Sequence, residues 1–224
     1  LDKKTGEVLK LIPTEENQIK NEFISNISSS NEFSFFLNTY GSLYAIDNKS
    51  MRIIWFINLN QSIDLNPSNL FTGNQIIYHN EKIIVTSNRF LYVINVFTGN
   101  IIFKKNFSSS IKPFVIDNYL FIITKNDLLV SVDLENGSII YSYDINQLIA
   151  DFYNIKKKRA EFKTLMMVNN KLLVFLKNSY LLRFNISGSL DKVSRLPTKI
   201  KTHPIVVNKS ILYIDKKNQL SILN

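Results

Sequence analysis

The most informative stretch of the sequence is Leu91–Phe103, which reads LYVINVFTGNIIF. Two short runs rich in β-branched and aromatic residues, Leu91–Asn95 and Asn100–Phe103, flank a polar segment that ends in Gly99. A segment of this kind is typical of a β-hairpin, because glycine adopts the positive φ that a tight chain reversal needs. The stretch therefore predicts two antiparallel strands joined by a short turn.

The same phrase recurs along the chain, and each time Asp or Asn closes its first apolar run. These anchor residues are Asp2, Asp47, Asn95, Asp133, Asn185 and Asn224. Two further apolar runs precede an anchor, as with Pro113–Ile116 and Tyr119–Thr124 before Asp133. Four short strands in each period of roughly 40–45 residues predict the blades of a β-propeller. The acidic anchors are expected to cap the turns by accepting backbone hydrogen bonds.

The predicted fold is all-β, a β-propeller of four-stranded antiparallel blades, with about five blades in the 224 residues. A β-sandwich would not repeat the same turn after the same strand, and a helical repeat would need apolar residues at a spacing of 3.6. We expect a single propeller domain, or a propeller fragment, over residues 1–224. The run Glu7–Leu11 is expected to be a fourth strand. It completes the last blade of a five-bladed ring, or the chain is an arc of a longer propeller.

One large aromatic ring recurs after the repeated turn. Trp55, the only tryptophan, occupies this position, and Phe103 and Tyr141 are equivalent to it. In the first repeat the equivalent residue is Lys10, which has no ring. A ring that recurs at one position of a repeat is expected to pack between neighbouring blades, where it buries a large apolar area.

The longest connector departs from the repeat and lies between Tyr143 and Phe162, so an insertion is predicted at about residues 144–162. Its apolar residues follow helical spacing and predict a short helix or an ordered loop, before a basic run at residues 156–159. A solvated basic loop that covers a strand edge remains one interpretation. The other is a partner-binding loop, since long insertions on rigid scaffolds often carry function. The candidate partner-binding residues are Ile145, Leu148, Ile149, Phe152, Lys157 and Arg159.

Motifs for catalysis are not found in the sequence. It has no glycine-rich phosphate loop, no Gly-x-Ser-x-Gly and no His-Glu-x-x-His, and it contains no cysteine and only His79 and His203 as histidines. We therefore assign no catalytic, cofactor-binding or metal-binding residue and expect a binding module that is not an enzyme. The net charge of +9 is consistent with background solvation or with an acidic partner. The lysines are scattered, so nucleic-acid binding is not expected.

The stretches LYVINVFTGNIIF and LYAIDNKSMRIIWFINL resemble the repeat of quinoprotein-type (PQQ-like) propellers, Leu-Tyr-x-(Leu/Ile/Val)-Asp-x-x-Thr-Gly-x-x-x-Trp. The resemblance covers nearly the whole chain in degraded form. Within that superfamily, the stretches GSLYAIDNKSMRIIWFINLNQSIDLNPSN and YSYDINQLIADFYNIKKKRAEF resemble α-proteobacterial members of the BamB family, the propeller lipoproteins of the outer-membrane β-barrel assembly machinery.

The resemblance implies an eight-bladed ring in the periplasm, held at the outer membrane by a lipid on a cysteine that this chain lacks. Its implied partners are the periplasmic domains of the barrel-inserting subunit BamA and unfolded outer-membrane proteins. The alternative is a fragment of a quinone-dependent dehydrogenase or another ligand-binding propeller. Those dehydrogenases stack their cofactor between a tryptophan and a disulfide of adjacent cysteines, beside a calcium ion, and no cysteine pair is present in this sequence.

Overall fold

The structure is a computed structural model that describes residues 2, 4–13, 26–60, 71, 75–87, 89–208 and 210–223. The chain divides into two compact units, Leu1–Ser108 and Ser109–Asn224. Both are built from antiparallel sheets whose strands follow one another in chain order, as in propeller blades. The predicted all-β propeller fold is confirmed at the level of these blades.

Unit 1 contains two four-stranded sheets among its described residues. The strands are β1 (Ile27–Ser29), β2 (Phe33–Leu37), β3 (Ser42–Asp47) and β4 (Arg52–Asn58), then β5 (Ile77–His79), β6 (Lys82–Thr86), β7 (Leu91–Asn95) and β8 (Ile101–Lys105). Strands β3 and β7 are almost fully buried, whereas β4 is largely exposed and β8 is half-buried or exposed. The core of the unit therefore forms between the two sheets, from their inner strands. Four of its residues are 0% exposed, namely Phe35, Leu43, Ile83 and Ile94.

Unit 2 contains two four-stranded sheets, one three-stranded sheet and one helix among its described residues. The elements are β9 (Phe114–Ile116), β10 (Tyr119–Ile123), β11 (Leu128–Asp133), β12 (Ile139–Asp144), α1 (Ile145–Tyr153), β13 (Phe162–Val168), β14 (Lys171–Leu176), β15 (Tyr180–Asn185), β16 (Leu190–Arg195), β17 (Ile205–Val207), β18 (Ser210–Ile214) and β19 (Leu220–Leu223). Helix α1 follows β12 directly and lies in the predicted insertion. Within the described residues, no helix is both long enough and apolar enough to cross a membrane.

Four of the described anchor residues cap the repeated turn, whereas the side chain of Asn185 bonds to the side chains of Lys171 and Ser189. Asp2 Oδ1 accepts hydrogen bonds from the backbone N–H groups of Lys4 and Thr5, at 2.8 and 2.9 Å. Asn95 Oδ1 accepts from Phe97 and Thr98, both at 3.0 Å. Asp133 Oδ1 accepts from Glu135 at 2.7 Å, and Asp47 Oδ1 from Ser50 at 2.5 Å. The capping role predicted for the acidic anchors is confirmed, whereas the anchor Asn224 lies outside the described residues.

The recurring aromatic ring packs on the turn of the next sheet. In unit 1, Trp55 on β4 donates its indole N–H to the carbonyl oxygen of Val96 at 2.7 Å, and its ring covers Gly99. In unit 2, Tyr141 on β12 donates its hydroxyl to the carbonyl oxygen of Ile186 at 2.9 Å, and its ring covers Gly188. We call this arrangement the ring–glycine contact. It confirms the packing role predicted for Trp55 and Tyr141.

The prediction that Glu7–Leu11 forms a strand is wrong. The Asp2 turn forms, because Gly6 donates its backbone N–H to the carbonyl oxygen of Asp2 at 2.9 Å, yet the residues that follow take no strand conformation. A strand exists only where its backbone pairs with a neighbour, and no described strand pairs with this run. Its Val8, Leu9 and Leu11 are accordingly exposed.

Candidate functional site

Helix α1 is the one irregular element between the described sheets of unit 2, and its ends are fixed by local hydrogen bonds. The Asp144 side chain caps the first turn by accepting the backbone N–H of Gln147 at 3.0 Å. At the other end, Asn154 takes a left-handed conformation with φ 51°, and its backbone N–H caps the last turn. Of the two predicted conformations of the insertion, a short helix or an ordered loop, the structure shows the helix over Ile145–Tyr153.

A buried polar network ties the beginning of the insertion to its end. Asn146 is 5% exposed, and its amide donates to Asp127 Oδ2 at 3.0 Å. The amide oxygen of Asn146 accepts the backbone N–H of Ala160 at 2.8 Å. Asp127 Oδ2 also accepts from Arg159 Nε at 3.0 Å. Because Asn146 and Asp127 are buried and satisfy each other and the backbone of Ala160, the segment after α1 is held against the sheet.

A second link joins Lys157 to Asp144. Lys157 Nζ lies 2.5 Å from Asp144 Oδ2, and the two side chains are 48% and 34% exposed. The hydrogen bond from Lys157, together with the backbone N–H of Gln147, holds the pKa of Asp144 below its ordinary value. An ion pair as exposed as this one contributes little to stability. It therefore orients the basic segment rather than holding it in place.

The six residues predicted to bind a partner lie in three different environments. Ile145 is 0% exposed and belongs to the core of unit 2, so it supports the insertion from inside. Leu148 and Ile149 are half-buried against the same core. Phe152 is 49% exposed, and Lys157 and Arg159 are exposed while paired with Asp144 and Asp127. Partner binding by these residues remains a prediction, and Phe152 offers the largest apolar surface among them.

Two further apolar residues, not named as candidates from the sequence, lie beside Phe152. Tyr153 and Ile155 are 44% and 54% exposed, and the Tyr153 ring packs edge-on against Phe152 with centroids 5.3 Å apart. Ile155 continues the helical spacing of the insertion, which was the available signal for it. Tyr153 lies four residues after Ile149 and eight after Ile145, so the same helical spacing was the available signal for it.

A cavity of about 400 Å³ opens beside α1. Leu176 and Leu182, both buried in the core, form its floor. Its other lining residues come from the insertion and from the sheet β13–β16, and they are Ile149, Tyr153, Ile155, Lys158, Arg159, Ala160, Asn178, Tyr180 and Val193. The lining is mostly apolar and includes two cations and no carboxylate. We call it the α1 cavity, and its volume suits a single small ligand or a bulky side chain.

Other parts of the described structure show less organised chemistry. No group of three His, Cys, Asp or Glu side chains that could hold a metal ion occurs among the described residues. His203, which precedes Pro204, has its pKa lowered by burial and by the neighbouring Lys163 and Lys112. A larger cleft of about 590 Å³ in unit 2 is lined by Arg195, Lys199, Lys216 and Lys217 together with polar and apolar residues.

No protein-family model matches the sequence, and no curated protein is similar to it in sequence. Solved structures are similar in fold. BamB from Moraxella catarrhalis matches 87% of this chain with a TM-score of 0.64 and 11% identity, and the match covers 55% of the BamB chain. The quinohemoprotein alcohol dehydrogenase ADHIIG from Pseudomonas putida HK5 matches 88% with a TM-score of 0.63 and 11% identity, over 39% of its chain.

The computationally designed protein Ika8 matches 88% of this chain with a TM-score of 0.65 and 9% identity, over 56% of its own length. This chain therefore spans about half the length of the solved propellers that it matches, or less. A designed protein, BamB and a dehydrogenase match it about equally well, so the likeness concerns the fold alone. These matches show a β-propeller fold.

Proposed function

We propose that this chain is a non-enzymatic protein-binding propeller of the outer-membrane β-barrel assembly machinery. In this proposal it acts in the periplasm at the outer membrane, binds the periplasmic domains of a BamA-like insertase and assists the insertion of outer-membrane proteins. The observation that carries the proposal is the α1 insertion, which is held by buried polar contacts and still exposes Phe152, Tyr153 and Ile155. The BamB-like repeat phrases and the likeness to BamB in fold support it.

The insertion has the properties of a protein-binding surface. Exposed aromatic side chains on a pre-organised segment lose little conformational freedom when they bind, and aromatic residues dominate the binding energy of many interfaces. The adjacent basic run adds Lys156, Lys158 and Arg159, which steer an acidic partner toward the surface. A segment that served only to cover a strand edge would not need to expose three large side chains, Phe152, Tyr153 and Ile155, within four residues at the end of α1.

The test is the binding of the full chain to purified BamA periplasmic domains, measured by biolayer interferometry. Phe152→Ala is the informative variant, and Phe97→Ala is its matched control because both rings are 49% exposed. We expect Phe152→Ala to weaken binding by about tenfold or more, as for an interface hot spot. Phe97→Ala should change the affinity by less than about twofold.

Two results would overturn the proposal. The wild-type chain would fail to bind the BamA domains, or the two phenylalanine variants would lose affinity equally.

The second candidate function, a fragment of a quinone-dependent dehydrogenase, is favoured by the fold similarity to the quinohemoprotein alcohol dehydrogenases. Saturable binding of the free quinone cofactor by a chain that does not bind the BamA domains would support that candidate instead.

A further inference from the structure

We infer that the α1 cavity binds a partner polypeptide segment in which a bulky apolar side chain is followed closely by a carboxylate. The inference rests on the proposed function, because it names the chemistry of the segment that the α1 insertion recognises. It adds the occupant of the cavity and the group that the rim of the cavity binds.

The floor and walls of the cavity determine the first half of the ligand. Leu176 is 3% exposed and Leu182 is 0% exposed, so the cavity reaches the hydrophobic core of unit 2. Ile149, Tyr153 and Ile155 extend this apolar lining to the surface. A ligand that removes such a surface from water gains free energy in proportion to the apolar area that it covers. A volume of about 400 Å³ fits one aromatic or branched aliphatic side chain with its backbone.

The charges at the cavity determine the second half. Lys158 and Arg159 both line it, and no acidic residue does. Arg159 uses its Nε atom to contact Asp127, but its side chain remains 76% exposed, so the guanidinium also faces solvent. The acidic groups nearest in the insertion are already engaged, since Asp144 pairs with Lys157 and Asp151 accepts from Gln147 at 2.7 Å. An incoming carboxylate would therefore meet the ammonium group of Lys158 and the solvent-facing side of the Arg159 guanidinium.

The cavity is formed before any ligand arrives. The hydrogen bonds of Asn146 to Asp127 and to the backbone N–H of Ala160 fix the segment that forms one wall. Arg159 is oriented by the same carboxylate. Little ordering cost is left for binding, which suits recognition of a short extended segment. Asn178 at the cavity supplies an amide that can pair with the backbone of that segment.

The experiment starts from a random twelve-residue phage-displayed peptide library selected on the immobilised full chain. We expect the enriched peptides to carry an aromatic or branched aliphatic residue with Asp or Glu within two positions of it. One enriched peptide, labelled with fluorescein, is then titrated with protein variants, and its affinity is measured by fluorescence anisotropy.

Two variants test the two halves of the site. Ile155→Asp places a charge in the apolar wall at a position that is 54% exposed, and it should weaken the peptide by about tenfold or more. Its matched control is Ile186→Asp, since Ile186 is 49% exposed in a turn of the same unit and does not line the cavity. Lys158→Glu should weaken the peptide several-fold, whereas Lys217→Glu, which makes the same charge change away from the cavity, should not.

Several outcomes would overturn the inference. They are enriched peptides without an acidic residue, no enrichment at all, or equal affinities for Ile155→Asp and Ile186→Asp. Binding of anionic lipid vesicles in place of the peptide, if Ile155→Asp abolished it, would also overturn the inference. Self-association of the chain that depended on Ile155 in place of peptide binding would do the same. If the BamA domains fail to bind while the peptide results hold, the proposed function fails and the inference stands. If the BamA domains bind normally to Ile155→Asp and Lys158→Glu, the inference alone fails.

Discussion

The ring–glycine contact of unit 1 and the α1 insertion of unit 2 hold their segments by different physical means. Trp55 covers Gly99 with an aromatic ring and adds one hydrogen bond, to the carbonyl oxygen of Val96. The insertion is held by polar groups, with Asn146 buried between Asp127 and the backbone of Ala160. The repeated contact places its largest apolar group against a neighbouring sheet. The insertion is anchored by polar atoms, which leaves its apolar side chains exposed for a ligand.

Removal of the Trp55 ring should have the largest effect on the free energy of unfolding. Trp55→Ala deletes a half-buried indole and leaves the carbonyl oxygen of Val96 without its donor, so the free energy of unfolding should fall by about 4 kcal/mol. Trp55→Phe keeps a ring and should lose about half as much. Urea unfolding followed by circular dichroism measures both. Equal losses for the two variants would show that ring packing is not what stabilises the contact.

The glycine beneath the ring comes next. Gly99 has φ +72°, and a Cβ atom there would lie 2.8 Å from Trp55 Cδ2. Gly99→Ala should therefore lower the free energy of unfolding by about 3 kcal/mol, from backbone strain and from displacement of the indole. Gly6→Ala is the matched control, because Gly6 has φ +74° and no atom within 4 Å of the added Cβ. It should cost only the strain, about 1 kcal/mol. Similar losses in the two variants would contradict the close approach.

The buried amide of the insertion should follow. Asn146→Ala leaves the backbone N–H of Ala160 without its acceptor and removes one of the donors to Asp127, so the free energy of unfolding should fall by about 2 kcal/mol. Hydrogen exchange measured by mass spectrometry should show faster exchange in residues 154–161 than in the wild type. Gln147→Ala, an exposed neighbour on the same helix, provides the control. Unchanged exchange in Asn146→Ala would show that the network does not hold the segment.

One turn of the repeat has no glycine at the position of positive φ. A substitution there is expected to raise the free energy of unfolding instead of lowering it. Met51 takes φ 54° at the position that Gly99 occupies in the next sheet, and its backbone N–H bonds to the carbonyl oxygen of Asp47 at 2.8 Å. Met51→Gly should raise the free energy of unfolding by about 0.5 to 1 kcal/mol, because glycine relieves the left-handed strain. Ser50→Gly in the same turn should lower it. The melting temperatures of the two variants should therefore shift in opposite directions, and a shared direction would contradict the strain.

The ion pair of the insertion should have the smallest effect. Asp144→Asn retains a capping oxygen for Gln147 but loses the charge opposite Lys157, so the free energy of unfolding should fall by less than about 1 kcal/mol at pH 7. The pKa of Asp144 in the folded chain lies below its ordinary value of 3.8. The contribution of the carboxylate is therefore complete above that value and is lost as the pH falls through the lowered pKa.

Urea unfolding at pH 7 and at steps below pH 4 should show the wild type and Asp144→Asn converging in acid. A second variant, Lys157→Gln, removes the partner and should show the same convergence, because the carboxylate is then protonated closer to its ordinary pKa. A difference that persists unchanged at the lowest pH would mean that the charge of Asp144 is not its source.

Several features of the fold could be predicted because their causes lie within a few residues. Anchors such as Asn95 and Asp133 bond to backbone N–H groups two or three positions away, so the turn is visible in the sequence. The periodic apolar residues of the insertion indicated a short helix or an ordered loop, and the helix is the one that forms. The prediction of a strand at Glu7–Leu11 was wrong, because a strand depends on a partner strand that local sequence does not supply.

The candidate site could be predicted only in part. The insertion stood out because it interrupts the repeat, and Phe152 is exposed there. Ile145 lies on the same face of the helix two turns earlier and yet is fully buried, because the first turn of α1 follows β12 directly and packs in the core of unit 2, whereas Phe152 in the last turn is 49% exposed. The α1 cavity had no local signal, since it also needs Tyr180 and Val193 from the following sheet.

The amino-acid sequence alone specified the repeat, its capped turns, the ring positions and the site of the irregular segment, since these follow from short-range hydrogen bonding and periodic burial. Tertiary structure alone determined which apolar residues of that segment remain exposed. Asn146 bonds to Asp127, which lies 19 positions earlier in the chain, and this contact sets how α1 faces the sheet. Contacts between distant residues depend on how complete elements pack, so no short stretch of sequence contains them.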